Sequence, residues 1–222
     1  MKKQYKAMIF DLDGTLADTI DTITYYCNRA LKKFGFEPID RERYKYLAGN
    51  GYKVLVKGML HEYNSYDEKL FNEMAEYYHD DYETDSLYLS KLYEGIEDLI
   101  SNLKQRGIKV AVFSNKPHGA VKDVIDAFFP QNTFDVCQGQ NGTFPLKPAP
   151  DGVIKIMEEL GVTKDETLYM GDTSTDMITG KSAEVFTIGC EWGFRSYDEL
   201  KSNGADLIVS HPMDVIKFLD ED

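Results

Sequence analysis

Short apolar runs alternate with longer helix-like stretches along most of this chain, and this alternation limits the folds open to it. The apolar runs are Ala7–Phe10, Ile108–Phe113, Phe134–Cys137, Thr167–Met170, Val185–Ile188 and Leu207–Val209. Their length and flanking residues favour buried strands. The stretches Ile96–Arg106, His118–Phe129 and Gly152–Leu160 each have about the length of one crossover helix. Strands that alternate with helices predict an α/β fold built on a parallel sheet.

Residues 18–88 interrupt this alternation. Apolar side chains from Ile20 to Phe34 recur at helical spacing, Gly35 ends the pattern, and no clear strand follows. The segment also carries 11 of the 15 tyrosines of the chain. We therefore predict a core made of residues 1–17 and 89–222, with an all-helical insertion at residues 18–88.

The charge balance argues against several classes of partner. The chain has 25 Lys and Arg against 38 Asp and Glu, and its formal net charge is −13. Long-range attraction to nucleic acid or to an anionic membrane is therefore not expected. Three cysteines without metal-ligand spacing, and the lack of an apolar run long enough for a membrane span, predict a protein of the cytoplasm. The sequence does not distinguish a monomer from a homodimer.

Polar side chains follow four of the predicted strands at their carboxyl ends, where parallel sheets bind ligands. In chain order they are Asp11 and Asp13, Ser114 and Asn115, Lys147, and Asp172. Three neighbouring carboxylates would repel one another. Mg²⁺ can neutralise them, because it binds few protein oxygens and keeps places for water and a substrate phosphate. The lysine and the hydroxyl group suit the other side of a phosphoryl group, so the pattern predicts phosphoryl chemistry.

The first two carboxylates have a spacing that suits nucleophilic catalysis. The Asp11 carboxylate can attack phosphorus and form an aspartyl-phosphate, and Asp13 can protonate the leaving oxygen and then activate water. Gly14 allows a sharp turn directly after them. An EF-hand calcium loop does not fit, because Leu16 and Thr22 stand where that loop requires Gly and Glu.

Four segments of the sequence resemble, in order, the motifs of the haloacid dehalogenase superfamily. They are DLDGT at 11–15, SN at 114–115, KPAPD at 147–151 and GDTSTD at 171–176. Residues 18–88 resemble the helical cap that members of this family insert after the first motif. The resemblance implies a Rossmann-like parallel-sheet core with an inserted all-helical cap domain. GDTSTDM and EWGFR at 191–195 are most similar to phosphoglycolate-phosphatase-like and pyrophosphatase-like hydrolases.

The resemblance also implies catalytic and metal-binding roles. Asp11 corresponds to the nucleophile, and Asp13 to the general acid and base. The implied ligands of Mg²⁺ are Asp11, the backbone carbonyl of Asp13 and Asp172.

The remaining implied roles concern the phosphate and its surroundings. Ser114 and Lys147 correspond to phosphate-binding residues, and Asn115 to an adjacent phosphate or loop contact. Thr15 corresponds to a structural hydroxyl group. Asp176 corresponds to a supporting carboxylate that positions metal-bound water or Lys147.

The expected function is Mg²⁺-dependent hydrolysis of a small phosphorylated metabolite, with phosphoglycolate as one candidate, through an aspartyl-phosphate. Three alternatives stay open. They are a pyrophosphatase, a sugar phosphomutase of the same superfamily, and a signalling module that is phosphorylated on an aspartate. A signalling module would not require the second acid, Asp13, or a cap.

Two further features each have two interpretations. Gly49-Asn50-Gly51 is either a substrate loop that closes over the core or an ordinary turn. Arg195 either pairs with an anion at the rim of the site or belongs to a packed turn.

Overall fold

The computed structural model describes residues 4–221. Residues 1–3 and 222, which the sequence-based division assigns to the core, lie outside the described residues. In chain order the elements are β1 (Ala7–Phe10), β2 (Ala17–Asp18), α1 (Ile20–Lys33), α2 (Arg41–Leu47), α3 (Tyr52–Glu62), α4 (Glu68–Thr84), β3 (Lys91–Leu92), α5 (Ile96–Gln105), β4 (Lys109–Pro117), α6 (His118–Phe128), β5 (Val136–Gln140), α7 (Asp151–Leu160), β6 (Thr167–Gly171), α8 (Ser174–Ser182), β7 (Phe186–Cys190), α9 (Tyr197–Ser202), β8 (Leu207–Val209) and α10 (Asp214–Glu221). Among these helices, none combines the length and the apolar character that crossing a membrane requires.

Six of the strands form one parallel sheet, which confirms the predicted α/β fold. Their order is β5-β4-β1-β6-β7-β8, and every neighbouring pair is parallel. The chain passes from β1 to β4 and β5 on one side, and then returns to β6 on the other side of β1. Such a reversal opens a crevice at the carboxyl ends of the strands beside β1.

Both faces of the sheet are buried, and β1 shows how the sequence achieves this. Successive side chains of a strand point to opposite faces. Met8 and Phe10 belong to one hydrophobic cluster, and Ala7 and Ile9 belong to another. All four are fully buried. A continuous apolar run is therefore what this central strand requires.

Four helices, α1 to α4, follow one another between β2 and β3. They share a hydrophobic cluster of their own, in which Tyr44, Met59 and Met74 are fully buried. Asp40 and Asp67 accept hydrogen bonds from backbone N–H groups in the first turns of α2 and α4, as N-terminal caps do. These helices agree with the predicted helical insertion, while its exact bounds stay a prediction.

The insertion is flanked by an antiparallel strand pair that the sequence did not predict. Ala17 pairs with Leu92, and Asp18 pairs with Lys91. Strands of two residues are too short to show any periodicity in the sequence, since a strand is recognised by alternation over four or more residues.

Two strands of the sheet differ more than the others in extent from their predictions. The predicted strand Phe134–Cys137 is observed as Val136–Gln140, and Phe134 packs edge-on against Phe129 before the strand begins. The strand β4 continues to Pro117, so Ser114 and Asn115 lie within the strand and do not follow it. Apolar composition identifies buried residues, whereas hydrogen bonds to the neighbouring strand define where a strand ends.

We expect Gly152→Ala to lower the free energy of unfolding by about 1–3 kcal/mol, because overpacking a core is destabilising. Gly152 is the second residue of α7, and a Cβ atom there would lie 2.2 Å from the Phe113 ring. Urea denaturation measures the change. The matched control is Gly119→Ala at the second residue of α6, where the nearest neighbouring atom lies at 3.9 Å. This control should be neutral or stabilising by up to about 1 kcal/mol. Equal losses in both variants would contradict this account of α7 packing.

Candidate active site

Four buried charged side chains meet at the carboxyl end of the sheet beside β1. Asp11 follows β1, Asp172 and Asp176 follow β6, and Lys147 comes from the loop after β5. One carboxylate oxygen from each aspartate lies within 4.8 Å of the others. The Lys147 ammonium lies 2.8 Å from Asp11 Oδ1 and 2.7 Å from Asp176 Oδ1. The structure thus brings together four of the predicted site residues.

The carboxylates of this cluster outnumber the lysine that neutralises them. Burial raises the pKa of Asp11 to about 7, against the opposing effect of the Lys147 charge. Burial, followed by the charges of Asp176 and Asp11, raises the pKa of Asp172 well above its ordinary value. Both shifts show that negative charge here is incompletely compensated. Buried oxygen ligands with excess negative charge fit a hard divalent cation such as Mg²⁺, and Mn²⁺ suits the same ligands.

Asp176 is held in place by several donors. Lys147 Nζ and the Tyr169 hydroxyl donate to its Oδ1 at 2.7 and 2.9 Å, and Thr173 Oγ1 donates to its Oδ2 at 2.7 Å. Burial alone would raise the pKa of Asp176, but the Lys147 charge and these hydrogen bonds keep it below its ordinary value. Burial alone would lower the pKa of Lys147, but the charges of Asp11 and Asp176 raise it well above its ordinary value. Asp176 is therefore arranged to fix the Lys147 ammonium beside Asp11.

Asp172 lies in a tight backbone pocket. Its Oδ2 accepts a hydrogen bond from the Phe194 N–H at 2.7 Å, and its Oδ1 lies 3.4 Å from Thr15 Oγ1. Gly14 has a φ of +82°, and a Cβ atom there would lie 2.1 Å from Asp172 Oδ2. The glycine of the first motif therefore satisfies two demands at once, a left-handed backbone and close contact with a carboxylate.

Asp13 stands apart from the acidic cluster. Its Oδ1 accepts hydrogen bonds from Thr19 Oγ1 at 2.7 Å and from Lys116 Nζ at 2.9 Å. Its side chain is 18% exposed, whereas that of Asp11 is 8% exposed. Lys116 was not among the site residues predicted from the sequence. The available signal was its position two residues after Ser114, since alternate residues of a strand lie on the same face.

The residues of the second motif have different surroundings. Ser114 is buried, and its Oγ accepts a hydrogen bond from the Lys116 N–H at 3.3 Å. The Asn115 side chain accepts from the Lys147 N–H at 2.8 Å and donates to the carbonyl groups of Lys147 and Gly49 at 3.2 and 3.0 Å. Asn115 thus makes the loop contact, and its contact with phosphate stays a prediction.

A cavity lies between the sheet and the helical insertion, and both parts line it. The core contributes Asp11, Asp13, Ser114, Asn115 and Lys116, and the insertion contributes aromatic side chains, namely Tyr52, Tyr78, His79 and Tyr82. The centre of a water molecule can reach about 60 Å³ of this space. The sequence did not single out these aromatic residues, because their spacing does not reveal which of them face the sheet.

The structure shows the surroundings of the segment Gly49-Asn50-Gly51 and of Arg195, which had two interpretations each. Gly49 and Gly51 have φ values of +106° and +85° and line the cavity, and the Asn50 side chain accepts a hydrogen bond from Thr175 Oγ1 at 2.8 Å. The segment is therefore a turn, and it also borders the cavity. Arg195 donates to the carbonyl of Lys45 in the insertion and pairs with Glu199 at 3.1 Å. These contacts favour the packing interpretation of Arg195.

The chain is similar to the same group of known proteins in sequence and in structure. The sequence model of the haloacid dehalogenase-like hydrolases matches residues 8–190. The chain is 31% identical over 215 residues to the phosphoglycolate phosphatase of Aquifex aeolicus, with 97% of each chain covered. It is 30% identical over an alignment of 234 residues to a candidate pyrophosphatase of Caldanaerobacter subterraneus subsp. tengcongensis, covering 97% of this chain and 96% of the other. The crystal structure of a candidate phosphoglycolate phosphatase from Lactobacillus delbrueckii subsp. bulgaricus has a TM-score of 0.91 at 31% identity, covering 97% of this chain and 98% of that one.

We expect Tyr169→Phe to lower the free energy of unfolding by about 1–3 kcal/mol, because it removes a hydrogen bond to a buried charged group. The lost contact is the one from the Tyr169 hydroxyl to Asp176 Oδ1. Urea denaturation in the presence of a chelator measures the effect without a contribution from metal binding. The control is Tyr197→Phe at an exposed position, which should change stability by less than about 0.5 kcal/mol. A neutral Tyr169→Phe variant would contradict the role given to this hydroxyl.

Proposed function

Because the chain belongs to the haloacid dehalogenase-like hydrolases, we propose that it is a Mg²⁺-dependent phosphatase that hydrolyses a small phosphate monoester through an aspartyl-phosphate on Asp11. The observation that carries this proposal is the setting of Asp11. Its carboxylate borders the cavity, lies 2.8 Å from the Lys147 ammonium and belongs to a buried cluster with Asp172 and Asp176. A nucleophile, a cation and a candidate metal site thus meet at one point.

The first half of the reaction transfers the phosphoryl group to the protein. An oxygen of Asp11 forms a bond to phosphorus while the bond between phosphorus and the ester oxygen breaks. Asp13 gives its proton to that oxygen, and the leaving group departs as an alcohol. Lys147 and Ser114 bind the phosphoryl oxygens, because phosphoryl transfer depends mainly on positioning and on charge neutralisation.

The second half of the reaction restores the enzyme. Asp13, now a carboxylate, takes a proton from water as the water oxygen bonds to phosphorus. The bond between phosphorus and Asp11 breaks, and inorganic phosphate leaves. The position of Asp13 at the cavity and outside the buried acidic cluster supports its exchange of protons with substrate and water.

The residues that would hold Mg²⁺ are Asp11, Asp172 and the backbone carbonyl of Asp13. When bound, the ion supplies positive charge that offsets the negative charge of the phosphoryl group. The raised pKa values of Asp11 and Asp172 support this assignment, because a cation would stabilise both groups as carboxylates.

Phosphoglycolate is the substrate that we put first, because relatives that cover nearly the whole chain carry its name. Pyrophosphate is the second candidate, on the basis of one relative of similar identity.

The cytoplasmic location expected from the unpaired cysteines stays a prediction. Cys27, Cys137 and Cys190 are all free thiols in the structure.

We expect Mg²⁺ to raise the Tm of the protein, because a ligand that binds only the folded state stabilises it by mass action. At about 100 times the Kd the rise should be roughly 5–10 °C for a chain of this size. Differential scanning fluorimetry in Mg²⁺ and in chelator measures it. Asp172→Asn should show almost no rise, whereas Asp165→Asn, at an exposed position, should behave like the wild type. An undiminished rise in Asp172→Asn would contradict the proposed metal site.

We expect Mg²⁺-dependent release of inorganic phosphate from phosphoglycolate, pyrophosphate or both, in a panel that also contains sugar phosphates and nucleoside monophosphates. Asp11→Asn should lower the rate more than about 10³-fold, because loss of a nucleophile removes the covalent route. Mass spectrometry of the acid-quenched wild type should find one phosphoryl group on Asp11.

Other outcomes of this panel would redirect the assignment. Conversion of β-glucose 1-phosphate to the 6-phosphate without phosphate release would indicate a phosphomutase. Stable phosphorylation of Asp11 with no turnover of any compound would indicate a signalling module.

A further inference from the structure

Lys116 is a buried cation that the reaction described above does not use. It lies on β4, two residues after Ser114, and its side chain is 3% exposed. Its ammonium lies 2.9 Å from Asp13 Oδ1 and 2.5 Å from the Tyr82 hydroxyl. Tyr82 belongs to α4, so Lys116 lies where the core and the insertion meet.

Burying this ammonium has a cost in free energy that needs an explanation. Removing a charge from water costs several kcal/mol per ion, and a buried ion pair is often no more stabilising than apolar side chains of similar volume. Contacts with Asp13 and Tyr82 keep Lys116 charged, since both raise its pKa against the effect of burial. A role in packing alone would be filled equally well by a methionine.

More carboxylates than cations border the cavity, so a cation there affects which groups the cavity can bind. Asp11 and Asp13 both face this space, and Ile23 and Leu55 add apolar surface. Lys116 is the one lysine or arginine among the side chains that line the cavity in residues 4–221. His79 also lines it, and its imidazole lies 3.7 Å from the Glu83 carboxylate. Without Lys116, no lysine or arginine among the described lining residues would offset a negative charge on the leaving group.

The position of Lys116 relative to Asp13 determines which part of a substrate it can reach. In the proposed reaction, Asp13 gives its proton to the ester oxygen of the leaving group. The Lys116 ammonium is 2.9 Å from Asp13 Oδ1. An anionic group one or two bonds from the ester oxygen can therefore reach hydrogen-bond distance of Lys116. In the same proposed reaction, the phosphoryl end of the substrate binds beside Asp11 and Lys147.

We propose that Lys116 binds an anionic group on the leaving group, so that the preferred substrates are small phosphate esters or anhydrides whose leaving group carries its own negative charge. This inference rests on the proposed function. The cavity is small, with about 60 Å³ open to the centre of a water molecule, which suits a carboxylate on a two-carbon unit or a second phosphate.

The test compares two substrates that differ only in this charge. They are 2-phosphoglycolate and 2-phosphoglycolamide, in which a neutral amide replaces the carboxylate. The kcat and KM of both are measured for the wild type, Lys116→Met, Lys116→Arg and the control Lys155→Met, whose lysine is exposed on α7. Pyrophosphate forms a third arm, in which the anionic leaving group is phosphate.

We expect the wild type to prefer phosphoglycolate to the amide by about 10- to 150-fold in kcat/KM, the range of a hydrogen bond to a charged group. Lys116→Met should abolish this preference, mainly through KM, because the contact exists before and during the reaction. Lys116→Arg should retain most of the preference, and Lys155→Met all of it. Any effect of Lys116 through Asp13 is common to both substrates and cancels in the ratio.

The outcomes separate this inference from the proposed function. A wild type that hydrolyses both compounds equally well would overturn the inference and leave the phosphatase assignment intact, and this comparison needs no variant. An unchanged ratio in folded Lys116→Met would also overturn it, because Lys116 would then be a packing residue. A preference for pyrophosphate that depends on Lys116 would support the inference with phosphate as the recognised group. Phosphate release from none of these compounds, nor from p-nitrophenyl phosphate, would instead contradict the proposed function.

Discussion

The site depends on the ion pairs of the Lys147 ammonium, which lies between the carboxylates of Asp11 and Asp176. All three groups are buried, and removing the lysine would leave two carboxylates without a compensating charge in a medium of low polarity. The neighbouring structure serves this arrangement. Asn115 fixes the backbone of Lys147, and Tyr169 donates to Asp176 from the central part of the sheet. Charge compensation therefore determines where these loops can lie.

The order of the strands supplies the rest of the site. Since β1 lies between β4 and β6, the segments at their carboxyl ends converge, although Asp11, Ser114 and Asp172 are 58 to 161 residues apart in sequence. This convergence was predictable, because polar residues that directly follow short apolar runs must lie at one edge of a parallel sheet. Asp11 and Asp172 were identified by that reasoning alone. Their assignment required no information about the helical insertion.

The features that the sequence did not reveal share a physical cause. Lys116 continues a strand whose end is defined by hydrogen bonds to β5, and the cavity-lining tyrosines belong to helices whose orientation depends on packing against the sheet. The side chains of Tyr44 and Tyr82 are both buried, yet only that of Tyr82 reaches the cavity and Lys116. Helical spacing distinguishes buried from exposed positions, but it carries no information on which neighbouring element a buried side chain meets. The residues with which β4 and the insertion line the cavity are therefore the least predictable ones.

The pairing of β2 with β3 has a consequence for how such proteins can diversify. The helices α1 to α4 lie between Asp18 and Lys91 in the chain, and these two residues are neighbours in one antiparallel ladder. The ends of the inserted segment are thus about 5 Å apart, whatever the segment contains. An insertion of different length or shape can be joined at the same two points without changing the path of the core strands. Genetic exchange of the segment between these points would alter the wall of the cavity that the insertion forms, while the buried charges around Lys147 would stay where they are.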